Sequence, residues 1–387
     1  MDSVLMPNYG TPELEFRHGQ GCYLFSSKGE RYLDFAMGIA VNSLGHCHPD
    51  LVTAITHQAN TLWHTSNLYR ITQSERLAGK LASVTFADHV FFCNSGAEAV
   101  ECGFKLIRRF HYSQKSKRNR IISMTDSFHG RTLATIAASK NPLHCDGFLV
   151  GDGGFDQAVF GDLDSLRQTI TEHTAGIVIE PVQGEGGIRV VDSEYLKGVK
   201  DLCQQHDLIL MFDEVQCGVG RTGSLYAYQQ LGVTPDVLAS AKGLGGGFPV
   251  GACLATEKLA KTLTAGSHGS TFGGNPLAMS VANAVLDTLM APGFMTELAE
   301  NGVYFKEQLQ QLAAAHPKLI IAVSGLGLML GLQCKIENIE LITRLQGANM
   351  LVVRGGGNSI RLFPPLNVSR SELDEALTIL SDVLSNW

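Results

Sequence analysis

At 387 residues, with 44% hydrophobic residues and 42 glycines, the chain is long enough for one large folded unit plus a smaller one, and its composition is neither disordered nor fibrous. A formal net charge of −7 gives no electrostatic case for nucleic acid or an anionic membrane as partner. Nine cysteines without a CxxC pair, mostly in apolar runs such as VFFC and VGACLA, read as the buried reduced thiols of a cytoplasmic protein.

The opening stretch MDSVLMPNYGTPELEF lacks the basic and apolar regions of a secretory signal, and no apolar run is long enough to span a bilayer. Residues 20–36 (QGCYLFSSKGERYLDFA) predict two short strands joined by a Ser-Lys-Gly turn. His46, Cys47 and His48 are metal-ligand types, but with no further cluster they read as a loop before a helix opened by Pro49, and no metal is expected. From Pro49 to about Leu81 the pattern is mostly helical. Short β-branched or aromatic runs then alternate with helical ones. HVFFC, RIISMTD, AGIVIEPV, LILMFDE and DVLASAK predict strands; AEAVECGFKLIRRFHY and SEYLKGVKDLCQQH predict helices. This alternation predicts an α/β unit built on a largely parallel sheet. The densest basic run, Lys115, Lys117, Arg118 and Arg120, falls between a helix and a strand and reads as a solvated loop. After about residue 280 the character shifts to helices (SVANAVLDTLM, GVYFKEQLQQLAAAH), short strands (LIIAVSGLGLMLGLQC, MLVVRGG, SIRLFPPL) and a final helix, SELDEALTILSDVLSNW. That tail predicts a separate, smaller α+β unit.

Ligands of open parallel sheets sit at the carboxyl ends of the strands, and the most informative residues lie there. LILMF runs into Asp213, Glu214, Val215 and Gln216, and a carboxylate leaving an apolar strand is costly unless it meets a cation. VLASA runs into Lys242 and then GLGGG; burial there would lower the amine's pKa toward that of a usable nucleophile and base. HVFFC runs into Asn94, Ser95, Gly96 and Ala97 before a helix, where free N–H groups suit a phosphate. Each signal alone has a plain alternative: Lys242 a structural residue at a strand end, Asp213 a helix cap. Their conjunction is what pyridoxal phosphate requires, a lysine for the Schiff base, an acid for the pyridine nitrogen and a phosphate cradle. Gly218-Val219-Gly220-Arg221-Thr222-Gly223 matches the dinucleotide pattern GxGxxG. It sits mid-chain with no acidic strand end about twenty residues on, so its glycines read as shaping a loop.

With these motifs in view, the chain resembles the class III aminotransferases of PLP fold type I. NSGAEA, SFHGRT, EPVQGEGG, LILMFDEVQCGVGRTG, AKGLGGGFPVGA, GSHGSTFGGNPLA and SIRLFPPLNV occur in that family's order, preceded by GERYLDFAMGIAVNSLGHCHP. The strings are most similar to those of acetylornithine aminotransferases; ornithine, succinylornithine and 4-aminobutyrate enzymes share most of them, N-succinyl-diaminopimelate is a further alternative donor, and a PLP decarboxylase or an aminomutase could use the same scaffold. The resemblance implies a large domain at 51–285, a C-terminal small domain at 286–387, and residues 1–50 joining the latter. It implies a homodimer with the active site at the interface, using an ω-amino donor and 2-oxoglutarate in a two-stage transfer that yields glutamate. It also implies residue roles. Lys242 carries the Schiff base and Asp213 pairs with the pyridinium. Gln216 bonds the phenolic oxygen, with Glu214 and Val215 beside it. Ser95, Gly96 and Ala97 bind phosphate, with Thr271 reaching it from the neighbouring subunit, and Phe128 stacks on the ring. Arg361 takes a substrate α-carboxylate through a bidentate bond, Glu185 covers Arg361 when an ω-amine reacts, and Arg131 and Ser270 contact the acyl end. His129 is adjacent and is assigned no chemical role. Taken singly, Arg361 reads equally as a surface strand residue, Phe128 as core, and Glu185 as an exposed loop acid. The phosphate loop departs from the family's NSGTEAN at Ala97, which offers no hydroxyl, and at Val100.

Overall fold

In the computed structural model, which describes residues 4–10, 12–148 and 150–387, all five predicted strands of the α/β unit join one seven-stranded sheet. Its order is His89–Cys93, Gly251–Ala255, Val237–Ser240, Ile209–Asp213, Thr174–Ile179, Arg120–Met124, Phe155–Ala158. Only Gly251–Ala255 runs against the rest, being antiparallel to both of its neighbours. That strand and Phe155–Ala158 are the two members that the sequence pattern missed. Thr174–Ile179 and Ile209–Asp213 are buried at every position, which is why they read as unbroken apolar runs rather than alternating ones. Because the remaining strands share one direction, their carboxyl ends open on one edge of the sheet.

The helix Gly96–Ser113 starts at that edge and packs Ala99, Val100, Phe104, Leu106, Ile107 and Phe110 inward. Gly103 lets it lie close to the sheet: a Cβ there would stand 2.5 Å from the Met211 sulfur. Val100 is fully buried in this packing, so its difference from the family pattern concerns the core rather than the cleft.

Both chain ends build the rest. The strands Phe16–Gln20, Tyr23–Ser26 and Arg31–Asp34 form a sheet that is completed by Met350–Leu351, paired parallel to Arg31–Asp34. A four-stranded antiparallel sheet follows, in the order Ile320–Leu326, Met329–Cys334, Ser359–Leu362, Val353–Gly355. The helix Phe294–Ala315 packs against its first strand, and Arg370–Ser385 packs on that helix. His46 and His48 turn to local tasks. His46 Nε2 bonds Asp34 Oδ2 at 2.8 Å, and His48 Nδ1 caps the helix Pro49–Ala59 by accepting from Asp50 N. The GxGxxG loop is likewise structural: Arg221 is buried and donates to the carbonyls of Leu328 and Pro364.

Candidate active site

A cleft of about 330 Å³ opens at the carboxyl edge of the large sheet. Ser95, Gly96, Ala97, Phe128, His129, Glu180, Glu185, Asp213, Val215, Gln216 and Lys242 line it, so five strand ends converge on one space. Val41 lines it as well, delivered by a turn in which Met37, Ile39 and Ala40 hold φ of 46°, 62° and 64°. Such left-handed backbone costs about 1–2 kcal/mol per residue, so the surrounding packing imposes it.

Lys242 follows the Val237–Ser240 strand at φ 43°, again in the left-handed region. By surface area it is half-buried, because the amine opens into the cleft, yet its surroundings are dense enough for burial to push the pKa down to about 8. The nearby Arg361 charge lowers it further, against Glu185, Asp213 and Glu180. Among the described residues Nζ makes no hydrogen bond or ion pair.

Asp213 stands 3% exposed at the end of Ile209–Asp213. Its Oδ1 accepts from Val215 N at 3.1 Å, and its Oδ2 meets His129 Nδ1 at 2.7 Å. Burial alone would lower the pKa of His129. The bond to Asp213 and the charges of Asp213 and Glu180 outweigh it, and the pKa is raised. Nothing in the local sequence gives His129 a role, because its value comes from a partner 84 positions away.

Glu214 is a correction. The residue after Asp213 faces the opposite side, is fully buried, and accepts from Ala227 N at 2.6 Å and Tyr228 N at 2.9 Å. Burial pushes its pKa up to about 8, against those two bonds. It caps the helix Ala227–Leu231 and does not line the cleft.

At the helix start, Ser95 Oγ accepts from Glu98 N at 3.2 Å and donates to Glu98 Oε2 at 3.0 Å. Gly96 and Ala97, as first residues of the helix, have no intrahelical acceptor for their N–H groups. Gly96 also has to be small, since a Cβ would lie 2.6 Å from Val215. Phe128 lies in the cleft wall with the Arg131 guanidinium 5.7 Å from its ring centre.

Arg361 is 2% exposed, so it is no surface strand residue. Nε and Nη2 donate to Arg354 O at 2.9 and 2.6 Å, while Nη1 donates to Glu185 Oε1 at 2.8 Å and reaches Gln216 Oε1 at 3.5 Å. The Glu185 side chain keeps 39% exposure. Arg131, Ser270 and Thr271 do not line the cleft of the single chain. Arg131 and Thr271 are exposed, and Ser270 Oγ accepts from Asn94 Nδ2 at 3.2 Å and Gly273 N at 3.0 Å.

A buried acid, an amine and helix-start N–H groups that lack protein partners among the described residues suit a group with a basic ring nitrogen, an aldehyde and a phosphate. The residues present therefore fit pyridoxal phosphate. The second missed residue is Glu180, at the end of AGIVIE, where the strand-end carboxylate signal that marked Asp213 applies equally.

Comparison with known proteins agrees with this geometry. Residues 5–384 match the sequence profile of the family described as aminotransferase class-III. The chain is 52% identical over 376 residues to an acetylornithine aminotransferase of Mesorhizobium japonicum, covering 97% of this chain and 94% of that one. It is 45% identical to one of Pseudomonas putida, covering 97% and 94%. Among solved structures, an N-acetylornithine aminotransferase from Stenotrophomonas maltophilia superposes with a TM-score of 0.85 at 35% identity, covering 98% of each chain. An ornithine aminotransferase from Toxoplasma gondii superposes with a TM-score of 0.94 at 28% identity, covering 99% and 93%.

Proposed function

Because the chain belongs to the class-III aminotransferases and is a pyridoxal-phosphate-dependent enzyme, we propose that it transfers the terminal amino group of N2-acetyl-L-ornithine to 2-oxoglutarate, giving N-acetylglutamate semialdehyde and L-glutamate, a step of arginine biosynthesis. The observation that carries this reading is the Arg361–Glu185 pair, whose acid lines the same cleft as the free Lys242 amine. An enzyme for one α-amino acid needs a carboxylate-binding arginine. An acid that covers it and keeps partial exposure serves an enzyme that alternates between an ω-amine and glutamate.

When bound, the cofactor supplies an aldehyde that takes up the amine and a ring that withdraws electrons from the reacting carbon. The chain supplies the rest. Lys242, once free, removes the proton from the substrate's reacting carbon and returns it during the transfer. Asp213 holds a proton at the pyridine nitrogen, and the His129 bond fixes its orientation. Gln216 would bond the phenolic oxygen, and Phe128 and Val215, which line the cleft, would wall the ring. The N–H groups of Gly96 and Ala97, with Ser95, hold the phosphate. Ala97 contributes backbone only. For the ω-amine, Arg361 stays closed on Glu185, while Arg131 and Ser270, which lie outside the cleft of the single chain, would contact the acyl end where the site is completed by the dimer. For 2-oxoglutarate, Glu185 withdraws and Arg361 takes the α-carboxylate.

A homodimer completes this reading. Leu62, Trp63, Leu68, Tyr69 and Phe272 are exposed, and the segments carrying them are tied by Asn67 Nδ2 donating to the carbonyls of Ser270 and Gly273. An apolar surface of this kind suits a subunit contact that would carry Thr271 to the partner's phosphate. Among the described residues no single helix is long and apolar enough to cross a membrane, and we read the enzyme as cytoplasmic. The deciding assay follows glutamate release from 2-oxoglutarate with acetylornithine, succinylornithine, ornithine, N-succinyl-diaminopimelate and 4-aminobutyrate as donors, compared by kcat/KM. Acetylornithine should lead; preference for free ornithine or 4-aminobutyrate would replace the substrate while leaving the transfer chemistry in place.

A further inference from the structure

Glu180 is a carboxylate 6% exposed, in the cleft wall, and among the described residues it forms no salt bridge with lysine or arginine. Keeping a carboxylate there is costly unless its oxygens are satisfied. Each oxygen takes one backbone donor: Phe128 N to Oε2 at 3.0 Å and Gly184 N to Oε1 at 3.5 Å. Only an ionised acid offers two acceptors without a donor of its own; glutamine offers one.

The two donors belong to different parts of the site. Phe128 follows the Arg120–Met124 strand and walls the cleft. Gly184 opens the loop between the paired strands Val182–Gln183 and Arg189–Val190, and the next residue is Glu185. That loop is pressed close, for a Cβ at Gly184 would stand 1.7 Å from Gln216 Oε1. Beyond it, Gly356 N donates to Glu185 O at 2.8 Å, and the Glu185 side chain meets Arg361. Arg361 does not depend on Glu185 for its own place, because Arg354 O holds it twice.

We propose that Glu180 is a positioning residue for the acid that covers Arg361: by tying the Gly184 N–H to the Phe128 segment, it holds Glu185 closed and sets how readily a dicarboxylate displaces it. This rests on the alternating-substrate reading above. The tether has a built-in weakness. Burial, with the Asp213 charge, pushes the pKa of Glu180 up to about 7, while His129 and the two N–H donors oppose the rise. The other titratable groups whose charge bears on it are Lys242 and Cys217. As pH falls through 7 the protonated acid loses one acceptor, the longer Gly184 bond yields, and Glu185 is freed.

The test is glutarate, a five-carbon dicarboxylate that cannot react, titrated calorimetrically into the full-length, cofactor-loaded enzyme, beside steady-state kinetics. Glu180→Gln should bind glutarate roughly fivefold more tightly at pH 8, the scale of one lost hydrogen bond. KM for 2-oxoglutarate should fall by the same factor, with KM for the amino donor changing less than about twofold. In a Glu185→Gln background, Glu180→Gln should add nothing, since the acid it positions is gone. Wild-type affinity for glutarate should rise as pH drops from 8 to 6, and that of Glu180→Gln should rise less. Equal glutarate affinities in the two proteins, a joint shift of both KM values, or an undiminished effect in the Glu185→Gln background would overturn the proposal. If Glu180→Gln does not fold, the wild-type titration decides, and an affinity that is flat or falling toward pH 6 overturns it. Wild-type enzyme that neither uses 2-oxoglutarate nor binds glutarate would instead refute the alternating-substrate reading itself.

Discussion

Arg221 and Arg361 are the two largest side chains withdrawn from solvent, and they are held in different ways. Arg221, in the glycine loop 218–223, donates to the carbonyls of Leu328 and Pro364; among the described residues it has no carboxylate partner and Nη2 is left unpaired, and burial pushes its pKa down to about 9. Arg361 shares that reliance on carbonyls through Arg354 but adds one bond to an acid that still touches water. Lys242 completes the series, with no hydrogen-bond partner among the described residues. A buried cation whose bonds all go to fixed carbonyls is a fastener. One whose last partner is exchangeable can receive a ligand's carboxylate, and one with none faces chemistry.

This ordering can be broken at each member. Lys242→Ala should cost the most, lowering turnover by about 10⁴-fold or more while leaving the melting temperature close to wild type; covalent trapping of the cofactor by borohydride should vanish with it. Normal turnover in that variant would remove Lys242 from the mechanism. Arg361→Ala should lower kcat/KM for 2-oxoglutarate about 100-fold, the scale of truncating a buried charge contact, with a smaller loss for the amino donor. Equal losses for both substrates would mean that Glu185 does not alternate.

Arg221→Ala should act on stability instead, lowering the unfolding free energy by about 3 kcal/mol through two unpaired carbonyls and a cavity. Denaturant titration checks it, and kcat of the protein that remains folded should stay within about twofold. A large kcat loss with unchanged stability would make Arg221 part of the site after all. The smallest effect concerns protonation. A Lys242 amine whose pKa is lowered to about 8 is mostly charged at pH 7 and mostly neutral at pH 9. Cofactor capture by the cofactor-free protein should therefore speed up roughly tenfold across that range and then level off. A rate still climbing steeply above pH 10 would give the lysine an ordinary pKa.

Much of this was legible from local pattern. The five predicted strands, the lysine and acid at their ends and the helix after Ser95 each follow from a short run of residue types, because apolar continuity and a polar stop are written within a few positions. What stayed hidden depends on distance along the chain. Asp213 and Glu214 are adjacent carboxylates, and neighbouring residues leaving a strand face opposite sides, but nothing local says which side holds the cleft. The strand order decides it, turning Asp213 to His129 and Glu214 to the helix Ala227–Leu231. Arg221 and Arg361 are likewise arginines whose meaning lies with partners more than 100 positions away, at Leu328 and Glu185. Residue chemistry at the strand ends is therefore a property of the sequence. Which of those groups are paired, and with what, belongs to the tertiary structure, because a buried charge takes its character from the partners that folding brings to it.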